Sequence, residues 1–499
     1  MRKTLFVLCS FLLVLGHVLP VLAKRLPSPD PAPILNGQWK GPLKVPGGTL
    51  DLIITLVPLT NGTYYAALDA PQQRISRMPA EVVLKGNDIT LNIEQAGSRF
   101  IGKVKNGGAQ LEGTWTQPGL SVPLTLMRAV SATATASKKP RLTPPYREEE
   151  IMFTNAAAKI RLAGTLTIPA GPGPFPAVAL LSDSGPQDRD AEQQEYRMFG
   201  MLADHLTRRG IAVLRFDDRG VGKSQGNYLT ATTADLMGDA QAAMTFLRAR
   251  NLVDPQHIGL IGHGEGANVA LLAAAQPEPA APAFVVSLAG YGLPGRDVLV
   301  RQQVEILRLI GANPAQVKAA LDFHQHMIDI IRQTPNDNQA RGKVAAYLRL
   351  NNTDLDPQMA RARAAQLTSP WSRYFLDFDP VVLLPNVKCP VLALNGTADL
   401  QVDPAQNLGV LKKGLHNSQV KSDKLVGVNH WFQPEAKDWP LINGTQQPTF
   451  SPKALDIVRE WIFDNTKRPQ ATPTTVNKAA SQPAKKTPKK PTKSAQASR

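Results

Sequence analysis

Between residues 147 and 466 the chain alternates short, unbroken apolar runs with longer helical patterns, and few folds accept that alternation. The runs are Phe175–Leu181, Ile211–Phe216, His257–Gly262, Phe284–Leu288, Val391–Asn395 and Lys424–Val428. Amphipathic segments such as Ala234–Arg250 and Pro452–Asn465 accompany them. A strand that is apolar on both faces must be covered on both faces, and a helical crossover brings successive strands parallel. The expectation for 147–466 is therefore an α/β fold, a mostly parallel sheet with helices on both sides. Across about 295–367 the strand signal vanishes, and Val298–Leu309, Pro314–Arg332, Gln339–Leu350 and Pro357–Gln366 read as amphipathic helices. An all-helical insertion at that place reads as a cap over a site.

Residues 35–130 follow another rhythm. Short alternating segments (Gly47–Pro58, Gly62–Leu68, Glu81–Leu84, Asp88–Glu94, Arg99–Val104, Gln110–Trp115, Val122–Met127) are punctuated by turn signals such as Asn61-Gly62 and Gly107-Gly108. That spacing predicts a small antiparallel barrel or sandwich, with Trp39 and Trp115 in its core. Residues 131–146, which open SATATASKKPRLTPP, are too polar and proline-rich to pack and read as a linker.

The charge is unevenly placed. Of the net +16, nine cationic residues lie in Lys467–Arg499 and two are Arg2 and Lys3, so residues 24–466 carry only +5. The basic balance belongs to a Pro/Ala/Thr-rich tail, 467–499, and a nucleic-acid-binding fold is not implied. Such a tail can adsorb to anionic surfaces. At the other end, Arg2-Lys3, the apolar run Leu5–Leu22 and Val21-Leu22-Ala23 read as a signal peptide over 1–23. The chain is accordingly expected to be secreted or periplasmic, in a bacterial cell envelope. Two cysteines, Cys9 and Cys389, exclude a disulfide scaffold and a cysteine-built zinc site. No metal, nucleotide or other cofactor is expected. Gly222-Lys223-Ser224 resembles the end of a phosphate-binding loop, but Asp217 stands where that loop needs its first glycine.

In a parallel sheet, chemistry gathers beyond the carboxyl ends of the strands. The run ending at Gly262 leads into Gly262-His263-Gly264-Glu265-Gly266 and then a helix. Strand, tight glycine-flanked turn and helix are the parts of a nucleophile elbow, G-x-S-x-G, with glycine at 264 instead of serine. Asp399 follows the run ending at Asn395, and His430 follows the run ending at Val428. Elbow, acid and histidine in that order are the α/β-hydrolase triad order. Asp399 would fix the tautomer of His430, whose place at a strand end sets it apart from the other seven histidines.

Six blocks give a specific resemblance: LSDSGPQDRD (Leu181–Asp190), FDDRGVGKS (Phe216–Ser224), IGLIGHGEG (Ile258–Gly266), SPWSRYFLDFDP (Ser369–Pro380), PVLALNGTADLQV (Pro390–Val402) and VNHWF (Val428–Phe432). Together they resemble the EstD-type secreted carboxylesterases, α/β-hydrolases near the prolyl-oligopeptidase-like branch. The resemblance spans roughly Asn36–Asn465. It implies a carboxylic ester hydrolase with Asp399 and His430 as triad acid and base. It also implies an oxyanion hole from the Glu265 N–H and a second donor near Ser184. This chain departs from the family twice. G-H-S-E-G reads G-H-G-E-G, vacating the nucleophile position at Gly264, and S-G-S-G-P-Q-D reads with Asp183 in place of the first glycine.

A carboxylate beside a developing oxyanion opposes it, so activity is expected to be weak or lost. The alternative is a non-catalytic, ligand-binding pseudo-hydrolase of the cell envelope. Either way the expected partner is a small acyl-ester-like molecule. Gly264→Ser is expected to regain a reactive serine, with Asp183 holding its rate down.

Overall fold

A computed structural model describes residues 35–467, apart from 130–143 and short stretches at 46–47, 60–61, 71–74, 94–97, 118–119, 194–195, 310–312, 352, 354, 356, 417–418 and 443. The segment expected to be a signal peptide, most of the expected linker and nearly all of the basic tail lie outside the described residues.

The N-terminal segments form one closed antiparallel barrel of eight strands. They are β1 (Gly37–Val45), β2 (Gly48–Pro58), β3 (Tyr64–Ala70), β4 (Ile75–Lys85), β5 (Asp88–Ile93), β6 (Ser98–Lys105), β7 (Gln110–Gln117) and β8 (Leu120–Arg128). Closure comes from β1, which pairs with β8 at Trp39–Arg128 and Lys40–Met127. Closing the sheet removes both unpaired edges. Sequence reading found seven of these strands and passed over Gly37–Val45. Inward-facing Trp39, Phe100 and Trp115 fill the barrel with aliphatic side chains. The Trp39 indole N–H reaches the Gly108 carbonyl at 3.0 Å, so this buried ring leaves no polar atom unpaired.

The second sheet has eight strands: β9 (Tyr146–Asn155), β10 (Ile160–Pro169), β11 (Phe175–Leu181), β12 (Ala212–Phe216), β13 (Val253–His263), β14 (Val285–Leu288), β15 (Val391–Gly396) and β16 (Val420–Leu425). Their spatial order is β16-β15-β14-β13-β11-β12-β10-β9. Strands β11 to β16 are mutually parallel, while β10 runs antiparallel to β12 and to β9. Two apolar layers cover the sheet. One includes Leu214, Leu260, Met244 and Leu271; the other includes Val213, Ile261, Phe199 and Trp461. This double covering is why the central strands are apolar throughout.

Helices α1 (Met198–Thr207), α2 (Thr233–Arg248) and α3 (Glu265–Ala274) precede the insertion. The insertion contains α4 (Gly295–Leu309), α5 (Pro314–Gln333), α6 (Asp337–Asn351) and α7 (Pro357–Leu367), and α8 (Pro370–Asp377) follows. Met327, Ile331, Val344, Leu348 and Leu376 give this cap its own apolar cluster. Among the described residues no helix is long and apolar enough to cross a membrane.

Candidate active site

Four loops at the carboxyl ends of neighbouring strands bring Asp183, Gly264, Asp399 and His430 together. Strand β13 ends at His263, and α3 starts at Glu265 with Gly264 as the one-residue joint at φ +52°, ψ −116°. A left-handed φ at this sharp turn suits glycine. The joint is fixed where the Gly264 N–H donates to the Leu288 carbonyl at 2.9 Å. Helix α3 has no side-chain cap of its own. Its first N–H groups point at the loop after β11, as in helix N-termini that attract anions.

The anion there is Asp183. Its Oδ1 accepts the Glu265 N–H at 2.9 Å, and its Oδ2 lies 3.1 Å from Nε2 of His430. On the far side of the ring, His430 Nδ1 meets Asp399 Oδ2 at 2.9 Å. Asp399 Oδ1 also accepts the N–H groups of Gln401 and Val402, which aim its other oxygen at the histidine. Asp183, His430 and Asp399 are all buried. The imidazole is therefore clamped between two carboxylates.

Burial disfavours charge on His430, but the Asp399 charge and the hydrogen bonds to both aspartates overcome it and raise its pKa to about 10. Burial likewise opposes ionisation of Asp183. The hydrogen bond and charge of His430, with the Glu265 N–H, win and hold the carboxyl well below the usual carboxylate range. At neutral pH the three groups form a carboxylate–imidazolium–carboxylate row.

A Cβ on residue 264 would overlap the Asp183 carboxylate. The site has one space for either a side chain at 264 or the Asp183 carboxylate. This amends the expectation that Gly264→Ser suffices to create a reactive serine. It also removes room for a water at that point, and the Glu265 N–H assigned to an oxyanion hole already serves Asp183. Ser184, assigned near the second donor, hydrogen-bonds the Tyr291 hydroxyl.

Two of the sequence blocks hold Asp183 in place by gripping each other. Asp218 accepts the Ser182 hydroxyl at 2.7 Å and the Gln187 N–H at 2.8 Å, while the Gln187 side chain donates to the Asp183 carbonyl at 2.9 Å. Arg189 binds Asp217 with two nitrogens, at 3.0 and 2.8 Å. The Glu265 side chain turns away from the elbow and accepts from Thr233 and Trp371 at 2.7 and 2.8 Å. Trp371 lies on α8, so Glu265 ties the elbow helix to the cap. Ser224, from the apparent phosphate-loop ending, donates to the Asp217 carbonyl and accepts the Ala163 N–H, as part of a structural turn.

Sequence reading missed one residue of the site. His263 is itself the last residue of β13 and completely buried, so His430 does not stand alone at a strand end. Its Nε2 donates to the His430 carbonyl at 2.8 Å, and the two rings are 4.7 Å apart between centroids. A carbonyl can only accept, which fixes the tautomer and leaves Nδ1 as an acceptor. Burial and the neighbouring His430 push its pKa down to about 4, so the ring is neutral. The signal was present: His263 adjoins the elbow glycine.

Comparison with known proteins finds several that the chain resembles. Residues 193–428 match the family described as serine aminopeptidase, S33. Esterase EstD of Thermotoga maritima is 25% identical over 331 residues, covering 66% of this chain and 71% of its own. Among solved structures, the Pyrococcus furiosus esterase Pf2001 aligns with a TM-score of 0.41 at 16% identity, over 64% of this chain and 91% of its own. The α/β-hydrolase GrgF from Penicillium aligns with a TM-score of 0.41 at 18% identity, over 64% of this chain and 99% of its own. Elbow, acid and histidine in hydrolase order on this sheet give the chain the α/β-hydrolase fold, and its sequence is similar to that of the esterase EstD.

Proposed function

We propose that this α/β-hydrolase keeps the scaffold of a carboxylic ester hydrolase but has closed its serine route. The observation that carries this reading is the overlap between the Asp183 carboxylate and the place of a side chain at 264. An acyl-enzyme at 264 needs a nucleophile, a basic imidazole and free oxyanion donors. Residue 264 offers no nucleophile, and Asp183 engages both the imidazole and the Glu265 N–H. Losing a triad serine costs about 10⁶-fold in turnover, and about 10³-fold over water can survive from the rest of a site. Here the rest is blocked as well, so ester turnover falls below that residue. The ligand class remains a small acyl ester or its analogue, admitted under the cap. The N-terminal charge and apolar run support a secreted or periplasmic setting.

The experiment is assay of the purified native protein with short aryl esters and a fluorophosphonate probe. No labelling and no turnover above that of a denatured control are expected. Labelled protein with saturable ester hydrolysis overturns the reading, because some other serine would then be working.

A further inference from the structure

The same loops assemble two imidazoles and a carboxylate whose donor atoms face one another. Asp183, His263 and His430 each offer one ligand atom, all lying within 4.8 Å of one another, and all three residues are buried. From this juxtaposition we propose that Asp183, His263 and His430 form a binding site for a divalent transition-metal ion of the zinc type. The proposal goes beyond the closed-serine reading and shares Asp183 and His430 with it. Its readout is metal uptake, so its failure leaves that reading standing.

The donor set is the first argument. Two imidazoles and one carboxylate are the protein ligands of many catalytic zinc sites, which keep a fourth position open, and on binding the ion takes the place of the His430 proton that faces Asp183. Imidazole nitrogens suit zinc and its neighbours, whereas calcium and magnesium prefer oxygen. Metal–ligand distances of about 2.0–2.2 Å put tetrahedral ligands about 3.3 Å apart. His430 Nε2 and Asp183 Oδ2 already stand 3.1 Å apart. The widest pair must close by at most about 1.5 Å to reach that edge length.

The second argument is the support behind each ligand. A metal-binding histidine usually donates its other ring N–H to a carboxylate or backbone carbonyl, which fixes its tautomer and orientation. Both histidines meet this condition. His430 Nδ1 faces Asp399 at 2.9 Å, and His263 Nε2 donates to the His430 carbonyl at 2.8 Å. Each ring therefore keeps a second nitrogen that this support does not use.

The third argument separates a metal site from an ion row alone. The row Asp183–His430–Asp399 explains three groups but leaves His263 Nδ1 buried without a hydrogen-bond partner. An orphaned buried acceptor is costly and calls for a partner. A cation between His263, His430 and Asp183 supplies one. It also balances the two buried carboxylates, Asp183 and Asp399.

The test uses the full-length protein stripped with a chelator and titrated with Zn²⁺ by calorimetry, and with Co²⁺ by visible absorption. One equivalent and the intense d–d bands of four-coordinate Co²⁺ are expected. Asp183→Asn and His263→Gln should each weaken binding by about 100-fold or more, and Asp399→Asn by about 10–100-fold through the orientation of His430. His416→Ala, at an exposed histidine outside these loops, should leave binding unchanged. No uptake overturns the proposal, as does uptake that survives both Asp183→Asn and His263→Gln. Should those variants misfold, X-ray absorption of the zinc-loaded native protein decides. Two imidazole ligands support the site; any other number overturns it.

Discussion

The Asp183 carboxylate and a side chain on residue 264 compete for one space. Asp183 holds it, with Oδ1 on the Glu265 N–H at 2.9 Å. Gly264 and Asp183, where the sequence differs from the esterase pattern it resembles, thus depend on each other sterically. Glycine at 264 removes the Cβ that would strike Asp183. Asp183 in turn supplies an anion to the uncapped start of α3, where backbone N–H groups and the helix dipole favour negative charge.

Reversal must therefore be made in pairs. Gly264→Ser alone should fold poorly and resist fluorophosphonate. Overpacking costs about 1–3 kcal/mol, and a non-glycine residue in the left-handed region adds about 1 kcal/mol or more. With Asp183→Gly beside it, the clash disappears, the Glu265 N–H is freed and the serine meets His430. The double variant should melt above Gly264→Ser and label with the probe. Strict additivity of the two substitutions in melting and labelling would show that the positions do not compete.

Asp399→Ala should be among the most damaging single changes. It strips His430 of one carboxylate and leaves a buried imidazole facing an empty space, beside the unanswered N–H groups of Gln401 and Val402. Breaking a buried charged pair from one side costs about 3–5 kcal/mol. Guanidinium unfolding followed by tryptophan fluorescence measures it. A loss below about 1 kcal/mol would mean that His430 is well solvated or otherwise paired.

The parts of this architecture that were legible in the sequence are those with a local signal. Phe175–Leu181 was placed to the residue because a strand buried on both faces is one unbroken apolar run. The hairpin β9–β10 was not, because Arg147, Glu148 and Glu149 give β9 a charged, half-exposed surface. The last strand was expected at Lys424–Val428 and runs Val420–Leu425, since an edge strand needs little apolar character. Expected strand ends, chain order and the resemblance of the blocks around them together pointed to Asp399 and His430. The filling of the elbow by Asp183 was not readable, because it joins residues 82 apart at one helix terminus. His263 was hidden differently: its meaning depends on where its second nitrogen points.

The cap should loosen when its polar tie to the elbow is cut. Trp371 on α8 donates its indole N–H to Glu265, which also accepts from Thr233. Trp371→Phe keeps most of the ring but removes that donor, at a cost of about 1–2 kcal/mol for a buried acceptor left short of a partner. Amide exchange in α8 should speed up while exchange in the barrel strands stays the same. Unchanged protection of α8 would show that apolar packing, such as Trp371 stacked on Phe375 at 4.9 Å, holds it without the tie.

Acidity should stabilise the second sheet through Asp218. Burial raises its carboxyl from 3.8 to about 8, against the opposing hydrogen bonds from Ser182 and Gln187. A carboxyl with a raised folded-state pKa binds its proton more tightly folded than unfolded. Its contribution is full below the unfolded value and is lost as pH climbs through the folded one. The melting temperature should therefore fall between about pH 4 and pH 8. Asp218→Asn cannot ionise, so its melting temperature should fall less steeply across the same window, whatever its absolute stability. Parallel slopes for the two proteins would assign the titration to another group.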